Sequence, residues 1–341
     1  SASGNNARTV FWQLASSYSK REQDFLGDTR TGKQYQVDAK LGLITSFNLN
    51  PFIRFYDEDF SGNIGNQQQD TTASWGPGFR WLVTPHLIFD LSYNVVGDDT
   101  VSDDYVATSI QWEPSERTSL TAGYNQRFFG DSYNLDLQHK TKRLTNTVTY
   151  DESLEVFDRN NFERVELGLF LCPIGATRED ISQCFIQSEQ ADNSEFQLIN
   201  FTYLQPLESN EFSLNKRLSW TSKLQLARTS FTINSFATSR EGLESQVTDE
   251  TLGASLTIER KISGKSSLTL SAKYDYRIFD KENPEGSRQE DYYRTVSATY
   301  NKKLASSLAT HFTLQQVNRS SDNDQYSYDE ARVIINITKE F

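Results

Sequence analysis

The residues of this chain that could do chemistry fall into three groups: a few nucleophilic or metal-ligating side chains, a large set of charged ones, and many aromatics. His86, His139 and His311 are the three histidines, and they lie far apart, without metal-ligand spacing. No glycine-rich phosphate loop and no nucleophile elbow is present, so the reading is a non-enzymatic protein that needs no cofactor and no metal. Cys172 and Cys184 are close in sequence and fit a disulfide made in an oxidising compartment, with two free thiols as the alternative. Closing so short a loop stabilises it by about 3 kcal/mol in the chain-entropy picture.

The charged side chains are more informative because they recur at every second position. Asp38 and Lys40, Asp136 and Lys140, and Lys273, Asp275 and Arg277 are such sets. Arg80, Asp90, Arg127, Lys223 and Arg332 continue the pattern among Ser, Thr, Asn and Gln. Both signs occur on single segments. Such groups either pair across a wall and stiffen it, or present a mixed polar surface along which a hydrated solute slides; a strongly ion-selective pore would show one dominant sign. Phe11, Phe52, Tyr56, Tyr105, Phe236 and Phe279 fall on the same face as these charges. They could stack on sugar rings or pack locally.

The elements that position these groups are β-strands. The alternate positions between the polar ones are apolar: Tyr35, Val37, Ala39, Leu41 and Leu43; Leu87, Phe89, Leu91, Tyr93 and Val95; Leu268, Leu270, Ala272, Tyr274, Tyr276 and Ile278. This is the period of two of a strand with one apolar face, and helical spacing fits none of these runs. The last stretch, Arg332 to Phe341, alternates likewise and ends on an aromatic. Of 341 residues only 36% are hydrophobic while 13% are aromatic, too polar to fill several soluble cores. A membrane barrel has no such need, because its apolar residues occupy only the outward half of each strand. No run approaches 18 apolar residues, so no transmembrane helix is expected.

The links alternate in length. Short ones lie near Thr45–Asn48, Thr84–His86, Pro114–Glu116, Arg143–Thr145, Ala227–Thr229, Ser263–Ser266 and Ala305–Ser307. Longer acidic links are read at 20–33, 57–71, 96–102, 157–210, 240–247, 280–290 and 319–326, with only Gly130-Asp131 breaking the alternation. Short turns on one side and long loops on the other are the asymmetry of an outer-membrane barrel. The expected fold is all-β, a single-domain (1–341) transmembrane antiparallel up-and-down β-barrel of about sixteen strands, or eighteen if 162–171 and 196–204 join the wall. At either size the lumen is aqueous. Lys142-Arg143, Lys216-Arg217, Arg260-Lys261 and Lys302-Lys303 are read as short-link flanks, so that the net charge of −12 sits mostly on the long loops. That charge disfavours nucleic acid as a partner and leaves two readings of the acidic runs: a solvated surface, or sites for divalent cations bridging lipopolysaccharide. The 157–210 link is too long for an ordinary loop, and its apolar residues Leu167, Leu169, Phe170, Leu171, Phe185 and Ile186 should pack. A lumenal plug or constriction is the favoured arrangement, an extracellular cap the other. The chain begins Ser1-Ala-Ser-Gly without Met and is read as a mature product whose signal peptide has been removed.

Several motifs go beyond barrel rhythm. Trp112-Glu-Pro-Ser-Glu-Arg-Thr118, Arg127-Phe-Phe-Gly-Asp-Ser-Tyr133, Leu137-Gln-His-Lys-Thr-Lys-Arg143 and Tyr150-Asp-Glu152 follow one another in order. Ser209-Asn-Glu-Phe-Ser-Leu-Asn-Lys-Arg217 comes after the long link. Over about a third of the chain this resembles the outer-membrane barrel family associated with exopolysaccharide gene clusters, including PEP-CTERM-associated clusters. The family pattern has "Y-S-E" where this chain has Tyr150-Asp-Glu, a departure at the middle position. The resemblance implies a bacterial outer-membrane conduit for an exopolysaccharide chain, working with a periplasmic polysaccharide-export protein and surrounded by lipopolysaccharide. Phe341 would be the C-terminal signal read by the barrel-assembly machinery. It transfers no catalytic residues. The main rival is a general or sugar-selective diffusion porin, followed by a surface anchor for matrix polysaccharide. Outer-membrane barrels that are enzymes carry Ser/His or Asp/His sites at the rim, for which His139 is the candidate here.

Overall fold

A computed structural model of the chain describes residues 2–6, 9–25, 28–62, 70–97, 104–155, 162–173, 184–186, 196–206, 213–243, 246–282, 288–305, 308–322 and 326–339. Among them there are strands and turns, and no helix long and apolar enough to cross a membrane.

The chain forms two compact units, residues 1–155 with 211–341, and residues 156–210. In the first, a short β1 (Ala2–Asn6) leads into β2 (Val10–Phe25), β3 (Asp28–Leu43), β4 (Leu49–Gly62), β5 (Asp70–Thr84) and β6 (Leu87–Val96). Next come β7 (Tyr105–Ser115), β8 (Thr118–Arg127), β9 (Gly130–Lys140) and β10 (Leu144–Glu155). The second unit holds β11 (Phe162–Pro173), β12 (Phe185–Ile186) and β13 (Phe196–Pro206). The first unit resumes with β14 (Ser213–Gln225), β15 (Thr229–Gly242), β16 (Thr248–Ser263), β17 (Ser266–Glu282), β18 (Arg288–Ala305), β19 (Leu308–Ser321) and β20 (Tyr328–Lys339).

Every neighbouring pair from β2 to β10 and from β14 to β20 is antiparallel, and β10 pairs directly with β14 from Leu144↔Leu224 to Glu155↔Ser213. The wall is therefore sixteen long strands in an up-and-down meander, of the transmembrane β-barrel class. The edge of β2 away from β3 carries β1, from Ala2↔Leu14 to Asn6↔Val10. Among the described residues no ladder joins β20 to β2. The eighteen-strand alternative is excluded: β11 and β13 pair with each other and with β12, in a sheet of their own.

The outer face explains why the sequence alternates. Trp12, Trp75, Trp81, Trp112 and Trp220, all five tryptophans, lie on it and keep between 40% and 54% of their surface exposed. With them are Leu41, Ile53, Phe55, Leu252, Leu270, Val296, Val333, Ile335 and Ile337. A monomer in water rarely presents so continuous an apolar surface; in a bilayer it is the favoured one. Trp12, Trp81 and Trp112 sit at the short-turn ends of their strands, as an interfacial girdle requires.

Several link boundaries differ from expectation. Residues 20–33 form no long loop: β2 and β3 stay paired out to Phe25↔Asp28. Parts of 57–71 and 280–290 likewise belong to β4, β5, β17 and β18. Polar and acidic composition resembles a loop there because strands that outrun the bilayer need no apolar face. Lys216 and Arg217 also lie at the long-link end of β14, not beside a short turn. The tight link between β8 and β9 is as expected: Phe128 and Phe129 form the turn and Gly130 takes φ +109°, a conformation that costs glycine little.

Candidate functional site: the inner face of the wall

Cross-strand register settles which side chains share the inner face. Asp38 lies opposite Tyr56, Lys40 opposite Arg54, Arg80 opposite Asp90, and Asp136 opposite both Thr121 and Thr149. Lys223 faces Thr145 and Thr232, Lys273 faces Ser255 and Thr295, and Arg277 faces Thr251 and Asp291. Arg332 lies opposite Gln315. All twelve charged candidates share one face, and so do Phe11, Phe52, Tyr56, Tyr105, Phe236 and Phe279.

This face divides into two arcs of different character. Over β2–β8 it is packed. Asp90 takes the Arg80 Nε at 2.7 Å, the Arg80 Nη2 at 2.8 Å and the Lys40 Nζ at 2.7 Å, while Arg80 also donates to Gln13 at 3.1 Å. Arg54 clasps Asp38 through Nε (3.1 Å) and Nη2 (2.8 Å), and its Nη1 reaches Asn125 at 3.0 Å. Arg127 donates to both oxygens of Glu58 through Nε and closes a short ion pair through Nη2. The Tyr56 hydroxyl donates to Glu58 at 2.6 Å and accepts from Gln36 at 3.1 Å.

These contacts are unusual because Asn125 and Arg127 belong to β8 while Arg54 and Glu58 belong to β4. Four strand spacings separate them, about 19 Å along a sheet. They meet because the intervening strands turn small residues inward (Ser74, Gly76, Gly78, Ser92 and Ala107), and the sheet curls over them. The aromatics use the same device. A Cβ on Gly78 would lie 2.6 Å from the Phe52 ring, and one on Gly42 would lie 2.4 Å from that of Phe11. Phe11, Phe52, Tyr56 and Tyr105 are buried, and Arg80, Lys40 and Arg54 cover three of their rings. A polar cavity of about 300 Å³ remains beside the clasp, touching Asp38, Lys40, Arg54, Ser109, Asn125 and Asn134.

Over β10 and β14–β20 the inner face is open and chemically plain. Thr147, Thr149, Ser219, Thr221, Thr232, Asn234, Ser255, Thr257, Ser271, Ser297 and Thr299 line it by register. They bond sideways to one another, as Thr149 with Ser219 at 2.6 Å and Thr299 with Thr313 at 3.0 Å. Charged groups are spaced among them: Lys273 with Asp275 at 2.7 Å, Arg319 with Asp291 at 2.6 Å, and Arg332 with Glu330. Asp136, Lys140 and Lys223 form no ion pair among the described residues.

Glu58 and Asn125 are central to the packed arc. Glu58 falls within the acidic link expected at 57–71, yet it is fully buried. The sign that could have found it was Phe52, Arg54, Tyr56, Glu58 and Phe60, a period-two set running straight through the supposed loop. In the second unit, Cys172 and Cys184 are joined as a disulfide that ties the end of β11 to the residue preceding β12. Phe341 lies outside the described residues. His139 bonds Thr118 at 2.8 Å and His311 bonds Asn301 at 2.6 Å. No group of metal-ligating side chains occurs among the described residues.

No protein-family model and no curated protein matches the chain. Among solved structures it is similar to an anion-selective porin from Comamonas acidovorans, at 8% identity over 97% of this chain and 100% of that one, with a TM-score of 0.39. The outer membrane channel DcaP of Acinetobacter baumannii is similar at 8% identity over 99% of each chain, TM-score 0.39. OmpT, an outer membrane protein of Vibrio cholerae, is similar at 11% identity over 96% of each chain, TM-score 0.37. The class of the fold stands on its own strand pairing.

Proposed function

We propose that the chain is a bacterial outer-membrane channel that passes an exopolysaccharide to the cell surface without chemistry of its own. The observation that carries this reading is the open arc of hydroxyl and amide side chains on β10 and β14–β20. A hydrated sugar chain carries many hydroxyls. Ser, Thr and Asn exchange its water hydrogen bonds nearly one for one, at a net gain of only about 1 kcal/mol each. A polymer therefore meets many weak contacts and no deep well, which is the condition for sliding. The packed arc supplies rigidity on the opposite side. The motif resemblance at Trp112–Thr118, Arg127–Tyr133 and Leu137–Arg143 points the same way. The unit at Val156–Asn210 is assigned the gating role.

Cells lacking the chain provide the test. Polymer accumulating in the periplasm, with uptake of small sugars unchanged, is the expected result. Normal polymer export with impaired entry of small solutes would make the chain a diffusion porin. Polymer exported but shed from the surface would make it an anchor.

A further inference from the structure

We infer that the open arc is electropositive where solutes touch it, so that the channel prefers anions and its polymer carries acidic groups such as carboxylates. This rests on the channel reading and names the substrate class of the same lumen. The chain as a whole points the other way, with a net charge of −12, and the inner face holds both signs. What decides the matter is which sign is accessible.

In two ion pairs of this arc the acid is sunk into the wall and the cation stands out from it. In the Lys273–Asp275 pair the lysine side chain is 47% exposed and the aspartate 7%. In Arg319–Asp291 the arginine is 20% exposed and the aspartate 0%. A buried carboxylate bonded to its partner is neutralised at short range, whereas a protruding ammonium keeps most of its field in the water it faces. The exposed inward cations of this arc are Arg217, Lys223, Lys261, Lys273, Lys303 and Arg332. Against these six, the described exposed inward acids are Asp151 and Glu259. Glu330, the partner of Arg332, and Asp249, opposite Arg240, are half-exposed inward acids, matched by the half-exposed cations Arg240, Arg277 and Arg319.

The cations are also spread along the depth of the wall. Lys223, Lys261 and Lys303 lie near the short-turn ends of β14, β16 and β18, Lys273 lies further in on β17, and Arg217 lies near the long-link end of β14. Arg217 lies over the Phe236 ring, at 5.3 Å from its centroid, and Arg277 over that of Tyr293, at 4.8 Å. Such stacking holds a guanidinium in place and leaves its N–H groups for a carboxylate. An acidic polymer would thus pass from one cation to the next across a floor of hydroxyls. Spaced positive sites give it a path, and none holds it alone.

The test uses the full-length chain and its R217Q/K223Q/K273Q variant, substitutions of exposed side chains. Reversal potential is measured in planar bilayers under a tenfold KCl gradient, and binding of polygalacturonate and of neutral dextran is measured in detergent. Polygalacturonate bound at least tenfold more tightly than dextran, a chloride preference in whatever current the full-length chain passes, and both preferences reduced in the variant are the expected results. A potassium preference, equal binding of the two polymers, or a variant that keeps both preferences would overturn the inference. A full-length chain too nearly silent for a reversal potential, as the gated reading predicts, leaves the decision to binding: tighter, cation-dependent binding of polygalacturonate upholds the charge assignment, and equal binding of the two polymers overturns it. A chain that binds neither polymer would overturn the charge assignment and the conduit reading together.

Discussion

Glu58 shows what one residue contributes to the lumen. Its carboxylate is fully buried, and it is held by the Arg127 guanidinium and the Tyr56 hydroxyl, reached from β8 and from its own strand. Breaking a buried pair by removing one member costs about 3–5 kcal/mol, because the other charge is left without compensation. Arg127→Ala should therefore lower thermal stability in detergent clearly, and adding Glu58→Gln should restore part of the loss. Equal melting of Arg127→Ala and the wild type would show that the clasp holds nothing. Alternation along the sequence reveals the face of Arg127 and of its neighbours, but not the partner. Pairing across four strands depends on how far Ser74, Gly76, Gly78 and Ala107 let the sheet curl, and no local pattern states that.

At the scale of elements, the strands and their two faces are legible because a bilayer and a polar lumen impose period two on every strand. Strand ends are less so, since the segments at 20–25 and 28–33 lie beyond the apolar band and keep pairing without it. In the second unit the strand stretches 162–171 and 196–204 are legible as candidates for the wall; that they pair with each other instead, through a register shift near Glu166 and Gly168, gives no sequence signature. Glycines couple one strand to the next. A Cβ on Gly253 would lie 2.4 Å from the Phe236 ring on β15 and 2.7 Å from Asp275 on β17. Overpacking of this kind costs about 1–3 kcal/mol, so Gly253→Val should destabilise the wall and Phe236→Ala should relieve it. Melting curves of the two single variants and the double check this; strictly additive losses would mean that the ring does not fill the notch.

The whole molecule is defined by opposed surfaces. Its outer face is a band of Leu, Ile, Val and exposed Trp, and its inner face joins a packed ionic arc to an open hydroxyl arc. Sixteen strands give a lumen too wide for side chains alone to fill, and the proposed conduit therefore needs a gate, for which the Val156–Asn210 unit is our candidate. The most direct measurement is single-channel conductance in planar bilayers, with the full-length chain beside a deletion of residues 160–200. A nearly silent full-length chain and a large steady pore after deletion is the predicted result. A full-length chain that already conducts steadily, and changes little on deletion, would contradict the gated conduit and leave a diffusion porin.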